Sequence, residues 1–267
     1  MTSADAALRK YPRTPHLETS RLQPGDDDLD AVRFAAIKGA HVVVEEKLDG
    51  ANSAISFDSA GRLLLQSRGH FLTGGPRERQ FASLKAWAAT IAAPLRDRID
   101  DRYVVYGEWL YAKHTVFYDA LPHYFCEFDV YDRAAERFLS TPARRALLDG
   151  LPIVSVPVLD EGPATTLAAL TAHVGPSTCR TPAWRDRLPR AAADAGLDPE
   201  LVAAETDRDE AMEGLYLKVE DGDTVTGRLK WVRPTFLTAV VDSDSHWLDR
   251  PIVVNGLADP GALYAHV

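Results

Sequence analysis

The chain has 267 residues, of which 46% are hydrophobic and 26% are charged, and its formal net charge at pH 7 is −9. This composition is typical of a globular protein and excludes disordered, collagen-like and disulfide-rich chains. The length is sufficient for one large domain or two small ones, with a core that needs no disulfides. The acidic balance argues against a general nucleic-acid-coating protein, because such proteins are usually basic.

Cysteine usage and the lack of long apolar runs indicate the compartment. Cys126 and Cys179 lie far apart in the sequence and are too few for a four-ligand zinc site. Such sparse cysteine usage favours a reducing compartment. No apolar run approaches the roughly 18 to 20 residues that cross a membrane, and the N-terminal residues lack the apolar stretch of a signal peptide. We therefore expect a cytoplasmic protein with no membrane partner.

The predicted elements begin after a loop-rich lead-in over residues 1–40, where Pro and Asp residues cluster. Apolar residues at helical spacing predict an amphipathic helix over 77–95. Alternating and β-branched residues predict strands, in chain order, over 41–47, 52–57, 62–66, 102–109, 123–131, 214–220 and 227–232.

The stretch from about 141 to 206 differs from the rest, since it is Ala-rich and interrupted by prolines. This pattern predicts a helical insertion in a β-rich body. The order of strands, helix, strands, helices and strands predicts an α+β fold with mainly antiparallel sheets and flanking helices. We predict one domain over 1–240 and a short tail over 241–267, with no separate C-terminal domain.

Lys47 is the first candidate for chemistry, because it ends a predicted strand and precedes a glycine turn at Gly50. A lysine in this place projects its amine at the rim of a sheet. A surface lysine before a hairpin is an equally good interpretation of this segment alone. As a nucleophile, Lys47 would need a depressed pKa from burial or nearby cations, since only the neutral amine attacks.

Other charged residues occupy similar positions in later strands. Lys218 and Lys230 lie in the last two predicted strands, and Glu108 and Glu213 stand beside glycines. A carboxylate in such a place could hold a ribose hydroxyl or Mg²⁺. Each of these residues on its own is more typical of a solvated strand surface.

The set of segments is more specific than any one member. In chain order they are Glu-Lys-Leu-Asp-Gly at 46–50, Tyr-Gly-Glu at 106–108, Phe-Asp-Val-Tyr at 128–131, Glu-Gly-Leu-Tyr-Leu-Lys at 213–218 and Leu-Lys-Trp at 229–231. Together they resemble motifs I, III, IIIa, IV and V of the covalent nucleotidyltransferases. That superfamily comprises the ATP-dependent DNA and RNA ligases and the mRNA capping enzymes.

Within the superfamily the chain is similar to RNA ligases of the RNA ligase 2 type. Glu46 stands directly before the lysine, Asn52 follows five residues after it, and Arg68 lies about one strand further on. The resemblance implies the nucleotidyltransferase fold, which is ATP-grasp-like. It also implies ATP as substrate, Mg²⁺ or Mn²⁺ as cofactor and RNA as partner.

The resemblance also implies a role for each matching residue. Lys47 would take AMP from ATP, and Lys230 would contact the α-phosphate. Glu213 would help to place the metal, with Glu108 as a second candidate ligand. The remaining roles are adenine reading by Glu46, ribose binding by Glu108, adenine stacking by Phe128, phosphate support by Lys218, and the RNA and adenylate steps for Asn52 and Arg68.

The implied activity is an ATP-dependent RNA ligase that seals a 5′-phosphate to a 3′-hydroxyl in RNA repair. A separate end-healing kinase-phosphatase is a further hypothesis. Ligases of this superfamily usually carry another domain after motif V, and only 34 residues follow Arg233 here. Three alternatives remain: a minimal ATP-dependent DNA ligase, a GTP-using capping-type enzyme, and a nucleotide-binding module without catalysis.

Overall fold

The computed structural model describes residues 7–22, 30–236 and 251–264. Within these ranges the strands are β1 (His41–Lys47), β2 (Ala51–Phe57), β3 (Leu63–Ser67), β4 (Tyr103–Trp109), β5 (Phe125–Asp132), β6 (Arg137–Phe138), β7 (Val154–Ser155), β8 (Val158–Pro163), β9 (Gly214–Asp221) and β10 (Thr224–Val232). The α-helices are α1 (Ala82–Ile99), α2 (Thr141–Leu148), α3 (Leu167–Thr171), α4 (Trp184–Asp194) and α5 (Pro199–Ala204).

One sheet has four strands in the order β10-β9-β1-β8, and all of its neighbours are antiparallel. Side chains alternate along β1, so Val42 and Val44 pack into an apolar cluster with Leu215 and Leu217 of β9. Glu45 and Lys47 lie on the opposite face of β1. The pairing register sets Lys47, the last residue of β1, opposite Gly214.

The second sheet follows the order β3-β2-β4-β5-β6, with the short β7 parallel to β5. Helix α1 covers one of its faces. Trp87 and Ile91 of α1 are fully buried in the largest core cluster, together with Val105 and Phe125 of the sheet. The fold therefore combines two mainly antiparallel sheets with flanking helices, as the sequence predicts.

The prediction of a purely helical insertion over 141–206 is wrong in one respect. The segment contains α2 to α5, but it also contains β7 and β8, and β8 pairs with β1. Pro157 and Pro163 bound this strand, and Pro is tolerated at strand ends because it needs no ladder N–H there. The segment thereby covers an edge that β1 would otherwise expose.

The described part of the tail packs on the body that contains the two sheets. The side-chain carbonyl of Asn255 accepts a hydrogen bond from the backbone N–H of Tyr118 at 2.9 Å, and its amide donates to the Leu110 carbonyl at 2.8 Å. Residues 241–250 and 265–267 of the tail lie outside the described ranges. Across those ranges no helix is both long and apolar enough for a membrane crossing.

A cluster of buried charges joins the two sheets. Arg144 of α2 is fully buried and forms ion pairs with Glu45 of β1 and Glu127 of β5. Lys218 of β9 adds a contact of 3.0 Å to Glu45. Burial raises the pKa of Glu45, while Lys218 and Arg144 act in the opposite direction. The charges balance one another inside the protein, which makes each partner costly to remove.

Replacing Arg144 with Ala should lower the free energy of unfolding by about 3–5 kcal/mol, because two carboxylates would lose a buried partner. Urea denaturation measures this change. Arg190→Ala is the matched control, since Arg190 and Asp194 form an exposed pair 3.9 Å apart. It should cost less than about 0.5 kcal/mol. Equal effects of the two variants would contradict this description of the core.

Candidate active site

A cleft of about 640 Å³ lies between the two sheets. Its walls come from the ends of β1, β4 and β10, the starts of β2 and β9, and the middle of β5. All of the predicted site residues except Lys218 line it, namely Glu46, Lys47, Asn52, Arg68, Glu108, Phe128, Glu213 and Lys230. The fold therefore gathers residues that are far apart in the sequence.

Lys47 and Glu213 form the contact at the centre of this cleft. The Lys47 Nζ lies 2.7 Å from Glu213 Oε1, and the Glu213 side chain is almost fully buried. The neighbouring glycine makes the arrangement feasible. A Cβ on Gly214 would lie 2.0 Å from the Trp231 carbonyl oxygen, so any larger residue would push β9 and β10 apart.

The turn after Lys47 is fixed by several hydrogen bonds. The Asp49 carboxylate accepts from the backbone N–H groups of Thr115 at 2.7 Å and Val116 at 2.8 Å. The backbone N–H of Gly50 donates to Glu108 Oε1 at 3.1 Å. These contacts set the direction in which the chain leaves β1 and hold Glu108 beside it.

Carboxylates, rather than cations, dominate the surroundings of Lys47. Burial lowers the pKa of Lys47, but the charges of Glu213, Asp49 and Glu108 raise it. The carboxylates have the larger combined effect, so the pKa lies above its ordinary value. For Glu108, burial is the largest effect and raises the pKa to about 8, although the charge of Lys47 lowers it. The depression of the Lys47 pKa by nearby cations is therefore not found in the protein alone and stays a prediction for the metal-loaded site.

Glu46 lines the cleft, but its carboxylate already has partners. Ser177 Oγ donates to Oε1 at 2.5 Å, and Thr178 donates to Oε2 through its N–H at 3.0 Å and its hydroxyl at 2.5 Å. Burial raises the pKa of Glu46, and these hydrogen bonds oppose the change. A carboxylate has about four acceptor positions, so three are used here. Adenine reading by Glu46 stays a prediction.

Lys218 is the predicted residue that the structure does not bring to the cleft. Its side chain is fully buried, and its Nζ lies 3.0 Å from Glu45 and 3.4 Å from Asp129. It also donates to the backbone carbonyl of Phe128. The sequence pattern places Lys218 in a strand but carries no information about what covers it. The contact of Lys218 with the ATP phosphates is therefore corrected to a contact with the carboxylates behind the wall.

The residues predicted for later steps lie at the other side of the cleft. Asn52 is in β2, and its buried Oδ1 has no hydrogen-bond partner within the described ranges. Arg68 follows the edge strand β3 and is exposed. An unpaired buried acceptor is costly unless a ligand satisfies it.

The acidic residues fit a metal that is shared with a substrate. The described part of the chain contains no group of three or more His, Cys, Asp or Glu residues arranged to hold a metal alone. Mg²⁺ in phosphoryl-transfer sites uses one or two carboxylates and completes its shell with waters and substrate phosphates. Glu213 and Glu108 supply two such carboxylates in the cleft.

Several cleft residues were not predicted from the sequence. Tyr11, Thr14 and Tyr216 contribute hydroxyl groups, and Tyr11 and Thr14 come from the lead-in. The first two lie in Tyr11-Pro12-Arg13-Thr14-Pro15, which has no periodic pattern that would indicate a role. The prolines signal an extended segment, which is the one hint available.

Two solved RNA ligases share this fold. An archaeal ATP-dependent RNA ligase matches with a TM-score of 0.51 and 18% identity, over 85% of this chain and 49% of that one. A mutant of the Naegleria gruberi RNA ligase, solved with ATP and Mn, matches with a TM-score of 0.50 and 16% identity, over 83% of this chain and 60% of that one. These likenesses concern the fold.

The chain spans about half the length of solved ligases that it matches, such as 51% of two Naegleria gruberi RNA ligase mutants solved with ATP and Mn. A comparison with curated protein sequences finds no significant match. The sequence model of the RNA ligase family matches residues 40–232, which is most of the chain and includes both sheets and the cleft. The chain therefore belongs to the RNA ligase family.

Proposed function

We propose that the chain is an ATP-dependent RNA ligase that acts through a lysyl-AMP intermediate and an RNA-adenylate. The observation that carries this proposal is the position of Lys47, whose amine faces a cleft lined by Glu108, Phe128, Glu213 and Lys230. Membership of the RNA ligase family and the fold support it.

The first step would form a bond between the Lys47 amine and the α-phosphorus of ATP. The bond from that phosphorus to the bridging oxygen of pyrophosphate breaks, and pyrophosphate leaves with its electron pair. The amine must first lose a proton, and Glu213 is the carboxylate nearest to it at 2.7 Å. Lys230 would contact the α-phosphate as charge develops there.

Two carboxylates would hold the metal during this chemistry. Glu213 is the first candidate ligand and Glu108 the second, and both face the cleft. When bound there, Mg²⁺ or Mn²⁺ would neutralise phosphate charge. The Naegleria gruberi ligase solved with ATP and Mn is consistent with this cofactor.

The remaining residues would bind the nucleoside and the RNA. Phe128 would stack on adenine and Glu108 would bind the ribose, while Glu46 would contribute to base reading. Asn52 and Arg68 would act after the first step, on the RNA 5′-phosphate and the adenylate. The 3′-hydroxyl of a second RNA end then attacks the activated phosphate and AMP leaves.

The same residues distinguish this proposal from a DNA ligase, a capping-type enzyme and a binding module without catalysis. Glu46 and Asn52 around Lys47 favour an RNA ligase over a minimal DNA ligase. A capping-type enzyme would use GTP, and a silent binding module would not need Lys47, Glu213 and Lys230 together. Cytoplasmic location, a role in RNA repair and cooperation with a separate end-healing enzyme belong to this proposal as well.

The rate of AMP uptake should rise between about pH 6 and about pH 9 at saturating ATP and metal, since only neutral Lys47 attacks. Burial raises the pKa of Glu108 to about 8 in the free protein, so at low ATP the profile of kcat/KM should add an inflection near that pH. Stopped-time assays with labelled ATP measure the profile. Glu108→Gln should remove the inflection and retain the lysine-dependent rise. A rate that falls with pH would contradict this assignment.

Sealing of a nick flanked by RNA should be faster than sealing of the same nick in DNA. Matched duplexes that carry RNA, DNA or mixed strands at the nick, together with single-stranded RNA, measure the preference. Substrates with a 5′-hydroxyl should remain unsealed, because no phosphate can be adenylylated. Sealing of nicked DNA alone would overturn the RNA assignment and favour the DNA-ligase alternative.

A further inference from the structure

Residues 9–17 form a strap that connects the two sheets across the cleft. At one end the Arg9 carbonyl accepts a hydrogen bond from the Tyr106 hydroxyl of β4 at 2.8 Å. At the other end the Leu17 N–H donates to the Lys230 carbonyl at 2.9 Å, and the Lys230 N–H donates to the Pro15 carbonyl at 3.0 Å. The strap therefore lies along the outer edge of β10. It forms a third wall of the cleft, beside the walls that the two sheets provide.

The strap contacts the aromatic residues of the cleft. The Tyr11 ring meets the Phe128 ring edge-on, with centroids 5.1 Å apart. Phe128 in turn lies 6.2 Å from the Tyr216 ring across the cleft. Tyr11 thus supports the ring that is proposed to stack on the base, and it also reaches the phenol on the opposite wall.

Three hydroxyl groups form a hydrogen-bonded series that ends on a carboxylate. The Tyr11 hydroxyl bonds to Asp129. Tyr11 and Tyr216 oxygens lie 2.5 Å apart, and those of Tyr216 and Thr14 lie 2.9 Å apart. Asp129 is also near two cations, Lys218 at 3.4 Å and Arg228 at 4.0 Å.

The carboxylate fixes the direction of every donor in this series. Each hydroxyl carries one hydrogen, and an ionised carboxylate only accepts. Tyr11 gives its hydrogen to Asp129, so Tyr216 must donate to Tyr11, and Thr14 must donate to Tyr216. Burial raises the pKa of both Tyr11 and Tyr216, so both phenols keep their hydrogens.

The hydroxyl of Thr14 is left with acceptor capacity only. Its hydrogen is directed at Tyr216, while the residue lines the cleft and is 9% exposed. The cleft therefore presents a hydrogen-bond acceptor at this point. The 6-position of adenine carries an amino donor, whereas guanine and hypoxanthine carry a carbonyl acceptor there.

We propose that Thr14 recognises the 6-amino group of adenine, and that Tyr11 is a positioning residue that fixes the Thr14 hydroxyl through Tyr216. The inference rests on the proposed function, because it names the base that the same cleft selects. An acceptor facing a carbonyl would leave two acceptors unpaired, which disfavours the 6-oxo purines.

Equilibrium binding of AMP and IMP tests this inference, because the two differ in the 6-substituent and neither can transfer a nucleotidyl group. Isothermal titration of the wild type should show tighter binding of AMP by about five- to tenfold. Thr14→Val keeps the shape and should bring the ratio close to one, whereas Thr14→Ser should restore it. Tyr11→Phe should reduce the ratio, since the Tyr216 hydroxyl loses its acceptor and can donate to Thr14 instead, which leaves the Thr14 hydrogen free to face the base.

Tyr124→Phe is the matched control, because it removes another buried phenol that donates to the Asn255 carbonyl at 2.8 Å. It should leave the ratio unchanged, so a general loss of stability is distinguishable from a loss of recognition. When AMP uptake from ATP is measured, Thr14→Val should raise the KM for ATP. The kcat should be retained, because Thr14 contacts the base and not the reacting phosphate.

An unchanged ratio in Thr14→Val, or no preference in the wild type, would overturn the inference while the ligase proposal stands. If ATP yields no covalent adduct but the ratio still depends on Thr14, the ligase proposal fails and base recognition is supported. If neither AMP nor IMP binds, both are overturned.

Discussion

The antiparallel pairing of β1 with β9 is the constraint on which the site depends. It sets Lys47 opposite Gly214 and brings Glu213 to 2.7 Å from the lysine amine. Gly214 permits this approach because the Trp231 carbonyl fills the space that a Cβ would need. On the same face of β1, Glu45 joins the buried ion pairs with Arg144, so the strand that carries the nucleophile candidate is also tied to the second sheet.

The charge of the cleft differs from what the net charge suggests. Its lining includes five carboxylates and three Lys or Arg side chains. Local fields rather than net charge decide where a phosphate settles. A triphosphate entering this cleft would meet Lys47, Lys230 and Arg68, and the surplus of carboxylates is consistent with a divalent metal that accompanies it. The surplus of carboxylates also raises the pKa of Lys47, whereas burial is the main cause of the raised pKa of Glu108.

Much of the sheet structure and most of the site could be predicted, because alternation defines strands and the motifs stand near strand ends. Strand β8 was missed, since a short strand between prolines in an Ala-rich stretch resembles broken helix. The sequence places Lys218 in a late strand but does not indicate its burial, because alternation carries no information about what covers a face. The strap was missed for a different reason: Tyr11 and Thr14 make long-range hydrogen bonds that leave no periodic trace.

The central claim is that Lys47 receives AMP. Intact-mass analysis of the protein after incubation with ATP and Mn²⁺, at mildly alkaline pH, tests it most directly. The wild type and the exposed-lysine control Lys38→Ala should gain the mass of one AMP, and Lys47→Ala should gain none. GTP should give no comparable adduct. An adduct that persists in Lys47→Ala, or a wild type that remains unmodified with both Mg²⁺ and Mn²⁺, would contradict the account.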